Sequence, residues 1–327
     1  MGADPRASLF RGVAGDGRAY AVKTSTGPQP GVAVAGHLAE AGVPGVPAPL
    51  PSHQGGLTSE RLGVRLSVVP WVSDRRGIDV GLEPGHWRSL GALLAALHRV
   101  PVDTPGLRDL PSAGHDPEPL LLRLTELDRR LGAVGARPHA TSAVADLETE
   151  DTGVGDPHVA ALLRLWEAGR ERVLAVGEVA RTTAAEARAW ADAPSVVAHT
   201  DPHPGNVLLA DDDPGVWLVD WDDAALATPE WDLMFVVGGV LATPTPADQA
   251  AFVEGYGPAR LDPVRLRYAQ ATRALHDFLD FADDVLATEL LPEADRRWSV
   301  DVLAGQLSPD GLVAFALGER GSDRLGA

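Results

Sequence analysis

Alternating apolar and polar positions predict a small β-sheet within the first 70 residues. The predicted strands are Ser8–Ala14, Arg18–Thr24, Gly56–Glu60 and Val64–Trp71. The first two flank the sequence Gly15-Asp16-Gly17, which is typical of a β-hairpin turn. An Ala-rich stretch at residues 31–41 predicts a helix that ends before Gly42. We therefore expect a mostly antiparallel sheet with one helix.

From about residue 84 onward, the apolar positions follow a helical period. Trp87, Leu90 and Leu94 recur at intervals of three and four residues, and His98 is expected at the edge of the core that they form. Further helices are predicted at Pro119–Leu131, from Asp156 to about Asp192 with a break near Gly177, and at 230–241, 246–256, 262–288 and 292–306. Two short strands are predicted at Val207–Ala210 and Val216–Val219, and a loop at residues 132–156.

Composition removes several classes of protein. The 28 Lys+Arg and 46 Asp+Glu residues give a formal net charge of −18, which argues against a nucleic-acid partner and suits a cationic small molecule. The absence of cysteine excludes disulfides, zinc–thiolate sites and thiol nucleophiles. With no apolar run of about 18 residues and no signal-peptide pattern, we expect a cytoplasmic protein without a membrane partner. The sequence leaves the oligomeric state open.

Two residues stand out because their types occur only once. Lys23 is the only lysine among 28 basic residues, and Asn206 is the only asparagine. Ile78 is also unique, but Val and Leu replace isoleucine at little cost. Arginine does not replace a compact ammonium that reaches into a phosphate cleft, and aspartate does not replace a neutral amide ligand without adding charge. The chemistry of Lys23 and Asn206 therefore predicts a shared functional role.

The segment from His199 to Asp222 carries the predicted chemistry. Asp201 and Asn206 lie five residues apart in a loop stiffened by two prolines. A hairpin after this loop would return Asp220 to the side of Asn206, where the two side chains can share Mg²⁺. An aspartate that orients an acceptor hydroxyl, an Asn–Asp metal pair and a strand lysine together form the layout of a phosphoryl-transfer site.

These motifs resemble those of the aminoglycoside phosphotransferase family, which shares the protein-kinase fold. HTDPHPGNVLL resembles its catalytic loop, VDWD its metal-binding motif and YAVK the strand with the phosphate lysine. Other segments, among them LSVVPWVSDRRG and DWDDAALATPEWDLMFVVGG, are similar to the subgroup that contains spectinomycin phosphotransferase. The resemblance implies a two-lobe α+β fold. Residues 1–70 would form a small β-rich nucleotide-binding lobe, and residues 71–327 a larger, mainly helical lobe with the acceptor pocket.

The resemblance also implies roles for individual residues, with ATP and Mg²⁺ as cofactors. Asp201 would orient the attacking hydroxyl, Asn206 and Asp220 would hold Mg²⁺, and Lys23 would contact the α- and β-phosphates. The remaining nucleotide contacts would be the hinge at Val69, Trp71 and Val72, the phosphate-covering loop ending at Ser8, and His203. Structural roles would fall to Glu40, His199, Asp222 and Asp232, with Asp222 equally fitting a second metal ligand. The acceptor would meet Trp231, Asp277, Asp280 and Asp284.

The sequence departs from the family pattern in two places. The lysine of a kinase pairs with a helix glutamate, but Glu40 is the only acidic residue between positions 24 and 59 and falls in the last turn of its predicted helix. That pairing is therefore in doubt, and Asp220 is an alternative partner for Lys23. The family also has a helix and a strand before the phosphate-covering loop, which begins here at Met1. Either the start of the chain is placed too far downstream, or the lobe lacks that strand, in which case we expect it to bind ATP more weakly.

The expected reaction is transfer of the ATP γ-phosphoryl group to a hydroxyl of an aminocyclitol or aminoglycoside antibiotic, with spectinomycin as the first candidate. Two alternatives stay open: a kinase of choline, homoserine or a sugar-like metabolite, and a nucleotide-binding module without turnover. The pattern His199-x-Asp201-x-His203 could also belong to a metal-dependent hydrolase. That interpretation leaves Lys23 and Asn206 unexplained.

Overall fold

The computed structural model of the chain describes residues 7–27, 29–135, 155–211, 215–236 and 244–319. The strands are β1 Ala7–Val13, β2 Ala19–Ser25, β3 Ser59–Arg61, β4 Val64–Pro70, β5 Val196–Ala198, β6 Val207–Leu209, β7 Val216–Leu218 and β8 Ala225–Ala227. The helices are α1 Gly31–Glu40, α2 Gly77–Val80, α3 Pro84–His98, α4 Glu118–Gly135, α5 Pro157–Ala184, α6 Ala187–Trp190, α7 Glu230–Leu233, α8 Pro246–Tyr256, α9 Pro263–Leu286, α10 Glu293–Leu307 and α11 Leu312–Ala316.

The chain divides into two compact units. The first unit contains Met1–Gly114 and Ala189–Leu266, and the second contains His115–Arg188 and Arg267–Ala327. Neither unit ends at residue 70, so the predicted lobe boundary stays a prediction. Within the described part of the chain, none of the helices combines the length and the apolar composition that a bilayer span requires.

The sheet of the first unit has four antiparallel strands in the order β1-β2-β4-β3. The β1–β2 hairpin is confirmed, and its turn contains Gly17 at φ 84°, where a residue with a side chain would be strained. Lys23 lies opposite Leu9 on β1 and Ser67 on β4, while Ala21 lies opposite Val69. Directly opposed residues share a face of a sheet. Lys23, Ala21 and Val69 therefore lie on one face.

The core of the first unit joins α3 to α8 and to the short strands. Two glycines allow the helices to approach, because a Cβ at Gly91 would collide with the backbone of Phe252, and one at Gly255 with the backbone of Arg88. The periodic leucines of α3 are fully buried, as the pattern predicts. Strands β5 and β8 pair with each other but were not predicted, since each has only three residues and those of β5 are all buried, without alternation.

The second unit is helical in its described residues. Helix α5 begins at an N-cap, Asp156, whose carboxylate accepts hydrogen bonds from two backbone N–H groups, as the sequence predicts. The predicted break near Gly177 is wrong, because α5 runs through it. A Cβ at Gly177 would lie 2.9 Å from Leu124 on α4, so this glycine permits close helix packing and does not interrupt the helix.

Several predictions fall wholly or partly outside the described residues. They are the phosphate-covering loop at residues 1–6, most of the loop at 132–156, the centre of the turn at 212–214 and the later part of the helix at 230–241.

Candidate active site

One buried carboxylate, that of Asp232, holds the loop between β5 and β6 in place. Asp232 is fully buried, and its two oxygens accept hydrogen bonds from the backbone N–H groups of His199, at 3.0 Å, and Thr200, at 2.6 Å. Thr200 has φ 68°, a left-handed conformation that is costly for a β-branched residue. The bonds to Asp232 stabilise that conformation and so set the direction in which the next residue, Asp201, leaves the loop.

Asp232 is itself part of a longer network that the sequence analysis missed. His98 Nε2 donates to Asp232 Oδ2 at 2.9 Å, and Tyr256 donates its hydroxyl proton to His98 Nδ1 at 2.7 Å. Burial, followed by the charges of Asp232 and Glu230, raises the pKa of Tyr256 to about 12. His98 thus connects α8 to the loop. Its place at the end of an amphipathic helix gave no sign of this partner.

His199 has a structural role and does not offer a metal ligand. It is fully buried, its Nε2 donates to the backbone oxygen of Val219 at 3.1 Å, and its Nδ1 accepts from the N–H of Asp201 at 3.3 Å. The ring lies against Trp221, with the ring centres 4.6 Å apart. Because both ring nitrogens are engaged, the geometry gives no support to the hydrolase interpretation.

Asp201, Asn206 and His203 meet within the loop. The Asn206 amide donates to the backbone oxygen of Asp201 at 2.9 Å and to its Oδ2 at 3.1 Å. His203 Nδ1 accepts from the N–H of Gly205, so its proton is on Nε2, which lies 3.5 Å from Asp201 Oδ2. His203, expected beside a phosphate, therefore faces the carboxylate of Asp201. These contacts fix the orientation of that carboxylate.

The hairpin of β6 and β7 returns the chain to Asn206, as predicted. The N–H of Val219 donates to the backbone oxygen of Asn206 at 3.0 Å, and Asp220 follows directly. Asp220 has φ 62°, which turns the chain sharply at this point. The hairpin therefore places the Asp220 backbone next to that of Asn206.

The side chain of Lys23, on strand β2, extends to Asp220. Its Nζ lies 2.8 Å from Asp220 Oδ1 and 2.7 Å from Asp222 Oδ2. Burial lowers the pKa of Lys23, but the two carboxylates outweigh it and the net shift is upward. Burial raises the pKa of Asp222 although Lys23 opposes it. Glu40, the partner that the family pattern implies, is exposed at the end of α1.

The residues at this point suit a magnesium ion. The Asn206 amide nitrogen is used by Asp201, which leaves the amide oxygen as a potential ligand. Asp220 adds a partly exposed carboxylate, and oxygen ligands from one or two protein groups are what Mg²⁺ prefers. Among the residues that the structure describes, there is no group of three or more His, Asp or Glu side chains placed to bind a metal ion. An Asn–Asp pair therefore fits a metal that keeps its remaining ligands from water or phosphate.

The predicted hinge lies at the end of β4. Val69 shares the face of Lys23, whereas Ser8, expected at the end of the phosphate-covering loop, pairs with Thr24 and lies on the opposite face. The nucleotide contact of Ser8 stays a prediction. The N–H of Trp71 donates to the backbone oxygen of Ala19 at 3.0 Å and is therefore engaged within the sheet. Val72 follows Trp71 and is half-buried.

A cluster beside the hinge was also missed by the sequence analysis. The Trp71 indole donates to Asp74 at 2.9 Å, and the Arg11 guanidinium lies 5.2 Å over the Trp71 ring. Arg11 also approaches Asp74 to 3.7 Å. Arg11 pairs with Ala21 and so shares the face of Lys23. Widely separated positions in the sequence gave no signal for this contact.

The four predicted acceptor residues are not brought together in one unit. Trp231 lies in the first unit, where it packs against β5 and β8. The three aspartates lie in the second unit and each has a partner there: Asp277 pairs with Arg273, Asp280 with Arg123 and His276, and Asp284 accepts from Ser299. Their role in acceptor binding stays a prediction.

A strand lysine that meets an aspartate after a short hairpin, beside an Asp-x₄-Asn loop, is the arrangement of protein-kinase-like phosphotransferases. Residues 13–270 match the sequence profile of the phosphotransferase enzyme family known as APH, and the chain belongs to this family. It is accordingly a phosphotransfer enzyme by family. In the comparison with curated proteins, no protein matches the chain.

Solved structures show the same fold. Spectinomycin phosphotransferase APH(9)-Ia, in complex with ADP and spectinomycin, is 20% identical with a TM-score of 0.74, over 98% of this chain and 93% of that chain. Its AMP-bound complex is 21% identical with a TM-score of 0.72, over 95% and 91%. An aminoglycoside phosphotransferase from Alicyclobacillus acidocaldarius subsp. acidocaldarius is 14% identical with a TM-score of 0.51, over 97% and 90%. The two-lobe, protein-kinase-like α+β fold is thereby confirmed.

Proposed function

We propose that this chain transfers the γ-phosphoryl group of ATP to a hydroxyl of a small cationic acceptor. The observation that carries the proposal is the position of the two singleton residues. Lys23 contacts Asp220, and the residue before Asp220 is bonded to Asn206. The ammonium, the carboxylate and the amide that a magnesium nucleotide needs therefore belong to one compact unit, together with Asp201.

Each residue has a separate task in this reaction. Mg²⁺, held by Asn206 and Asp220, would neutralise charge on the transferring phosphoryl group. Lys23 binds the phosphate oxygens, and Val69, Trp71 and Val72 form the hinge for the base. Asp201 accepts a hydrogen bond from the acceptor hydroxyl and takes its proton as the oxygen attacks the γ-phosphorus. The bond from that phosphorus to the β–γ bridging oxygen breaks, and ADP leaves.

The acceptor is best matched by an aminocyclitol or aminoglycoside. The net charge of −18 attracts amines, and the fold is similar to that of an enzyme whose complex contains spectinomycin. Spectinomycin is therefore our first candidate. Trp231, beside β5 and β8, is our candidate for a ring contact with the acceptor. The three aspartates of α9 have other partners, so the proposal does not depend on them.

The test is a panel of acceptors incubated with ATP and Mg²⁺ and analysed by mass spectrometry. Spectinomycin, other aminocyclitols, aminoglycosides, choline, homoserine and simple sugars would be compared. We expect a gain of about 80 Da on an aminocyclitol or aminoglycoside, since one phosphoryl group is added. The Asp201→Ala variant should form product roughly 10²–10⁴-fold more slowly. Phosphorylation of choline or a sugar alone would refute the antibiotic acceptor, and no product with any acceptor would refute the transferase.

A further inference from the structure

We propose that Asp222 is the residue that positions Lys23, in place of a helix glutamate, while Asp220 serves the metal ion; this inference rests on the proposed function. Protein kinases hold their strand lysine with a glutamate from a neighbouring helix. Here Asp222 Oδ2 lies 2.7 Å from Lys23 Nζ, the shorter of its two ion pairs. A carboxylate two residues after the proposed metal ligand thus takes the place of the helix residue.

Helix α1 is placed so that it cannot supply the usual glutamate. A Cβ at Gly31 would collide with the backbone oxygen of Trp221, so the helix begins in direct contact with the Asp220–Asp222 loop. Its first turn contains no acidic residue. Glu40 lies nine residues later, about 13 Å along the axis at 1.5 Å per residue, and is exposed. Glu40 therefore lies at the end of the helix remote from this loop, whereas the ion pairs of Lys23 are made with the loop itself.

The two aspartates differ in their exposure to solvent. The Asp222 side chain is 26% exposed and that of Lys23 is 23% exposed, whereas that of Asp220 is 43% exposed. Asp220 also sits at the sharp turn that directly follows the bond between Val219 and Asn206. A hydrated ion arriving from solvent therefore reaches Asp220 more easily than Asp222. The geometry divides the two carboxylates into an outer one and an inner one.

With two aspartates, one carboxylate can bind the metal ion while the other keeps its ion pair with Lys23. When a divalent cation shares the charge of Asp220, that carboxylate attracts Lys23 less strongly. Asp222 keeps its full charge and its contact with the ammonium. Lys23 then stays in place to meet the phosphates as the nucleotide enters. Asp222 touches neither the nucleotide nor the reacting atoms in this scheme, so it is a positioning residue.

The unique lysine makes the inference directly measurable. Protein grown with ¹³C,¹⁵N-lysine has a single Nζ signal, because Lys23 is the only lysine. We would compare the wild type with Asp222→Asn and with the matched control Glu40→Gln, each with and without Mg·ADP. We expect Asp222→Asn to shift the Lys23 signal in both states, since it removes the charge but keeps the shape. Glu40→Gln should leave the signal unchanged.

A mutant cycle gives a second, independent readout. Asp222→Asn should weaken Mg·ADP binding about fivefold in the wild-type background and less than twofold in Lys23→Met, because Asp222 acts through Lys23. Additive losses, or weaker Mn²⁺ binding with an unchanged lysine signal, would make Asp222 a metal ligand and overturn the inference. A Lys23 signal that responds to Glu40→Gln would also overturn it. A wild type that binds no Mg·ADP overturns the proposed function itself.

Discussion

The Asp201 loop and the Lys23 cluster belong to the same compact unit but are held in different ways. The loop depends on Asp232, which is fully buried and satisfies two backbone N–H groups and His98. The Lys23 cluster consists of ion pairs whose side chains are all partly exposed. Buried, fully bonded networks rigidify a structure, whereas partly exposed ion pairs contribute little to stability. The comparison indicates that folding builds the loop in advance, while a ligand can rearrange the cluster.

The largest expected effect is on catalysis by the loop. Asp201→Ala should lower turnover by roughly 10²–10⁴-fold, the usual contribution of a positioned general base. Mg·ADP binding, measured by calorimetry, should remain close to that of the wild type. Asp211→Ala removes an exposed carboxylate from the β6–β7 hairpin, which follows the Asp201 loop, and serves as the control. Turnover by Asp201→Ala within tenfold of the wild type would remove Asp201 from its role.

The next effect is on the stability of the loop. Asp232→Ala leaves the N–H groups of His199 and Thr200 and the ring of His98 without their buried acceptor, and should cost about 3 kcal/mol of unfolding free energy. Urea unfolding would measure it. Asp232→Asn retains one oxygen and should lose less. Equal stability of the wild type and Asp232→Ala would show that the loop does not depend on this carboxylate.

A substitution in the Lys23 cluster should reduce nucleotide affinity strongly and the unfolding free energy only slightly. Asp220→Ala should weaken Mg·ADP binding by about tenfold, because a metal ligand and a charge are lost. Its unfolding free energy should change by less than about 1 kcal/mol, since the ion pair is partly exposed. Calorimetry and urea unfolding on the same preparation separate the two effects. A large loss of stability with unchanged nucleotide affinity would reverse the contrast between the two regions.

The smallest expected effect is on the pH dependence of the stability of the fold. The pKa of Tyr256 is raised from 10.0 to about 12, so between these values the unfolded chain loses a proton that the folded chain keeps. Stability should therefore fall as the pH rises through this window. Tyr256→Phe should cost about 1 kcal/mol at pH 7, through the lost bond to His98, and should reduce the slope above pH 10. Tyr268, whose pKa is also raised to about 12, provides a reference in the second unit. An unchanged slope in Tyr256→Phe would remove Tyr256 from the network.

Turns, helix caps and short hairpins were predicted correctly, because each depends on residues that are close together in the sequence. The β1–β2 hairpin and the N-cap at Asp156 follow from turn and cap chemistry within a few residues. The return of Asp220 toward Asn206 follows from the length of one hairpin. The unusual amino-acid composition added a further signal, since Lys23 and Asn206 are the only residues of their kinds.

Contacts between distant segments could not be predicted in the same way. The bonds of His98 to Asp232 and Tyr256 join helices whose approach depends on Gly91 and Gly255. The pairing of Lys23 with Asp222 joins β2 to the loop after β7, far apart in the sequence. Periodicity shows which face of a helix is buried but not which residue it meets. Tertiary packing decides that second question.

The most direct test of the central claim uses both unique residues at once. Protein labelled only at lysine and asparagine has one side-chain amine signal and one side-chain amide signal, from Lys23 and Asn206. Addition of Mn·ADP, whose unpaired electrons broaden nearby resonances, should broaden both signals strongly, and Mg·ADP should restore them. Asp220→Ala should weaken the response of both signals together. If Mn·ADP at saturation leaves either signal sharp, Lys23 and Asn206 do not share one nucleotide site and the account is wrong.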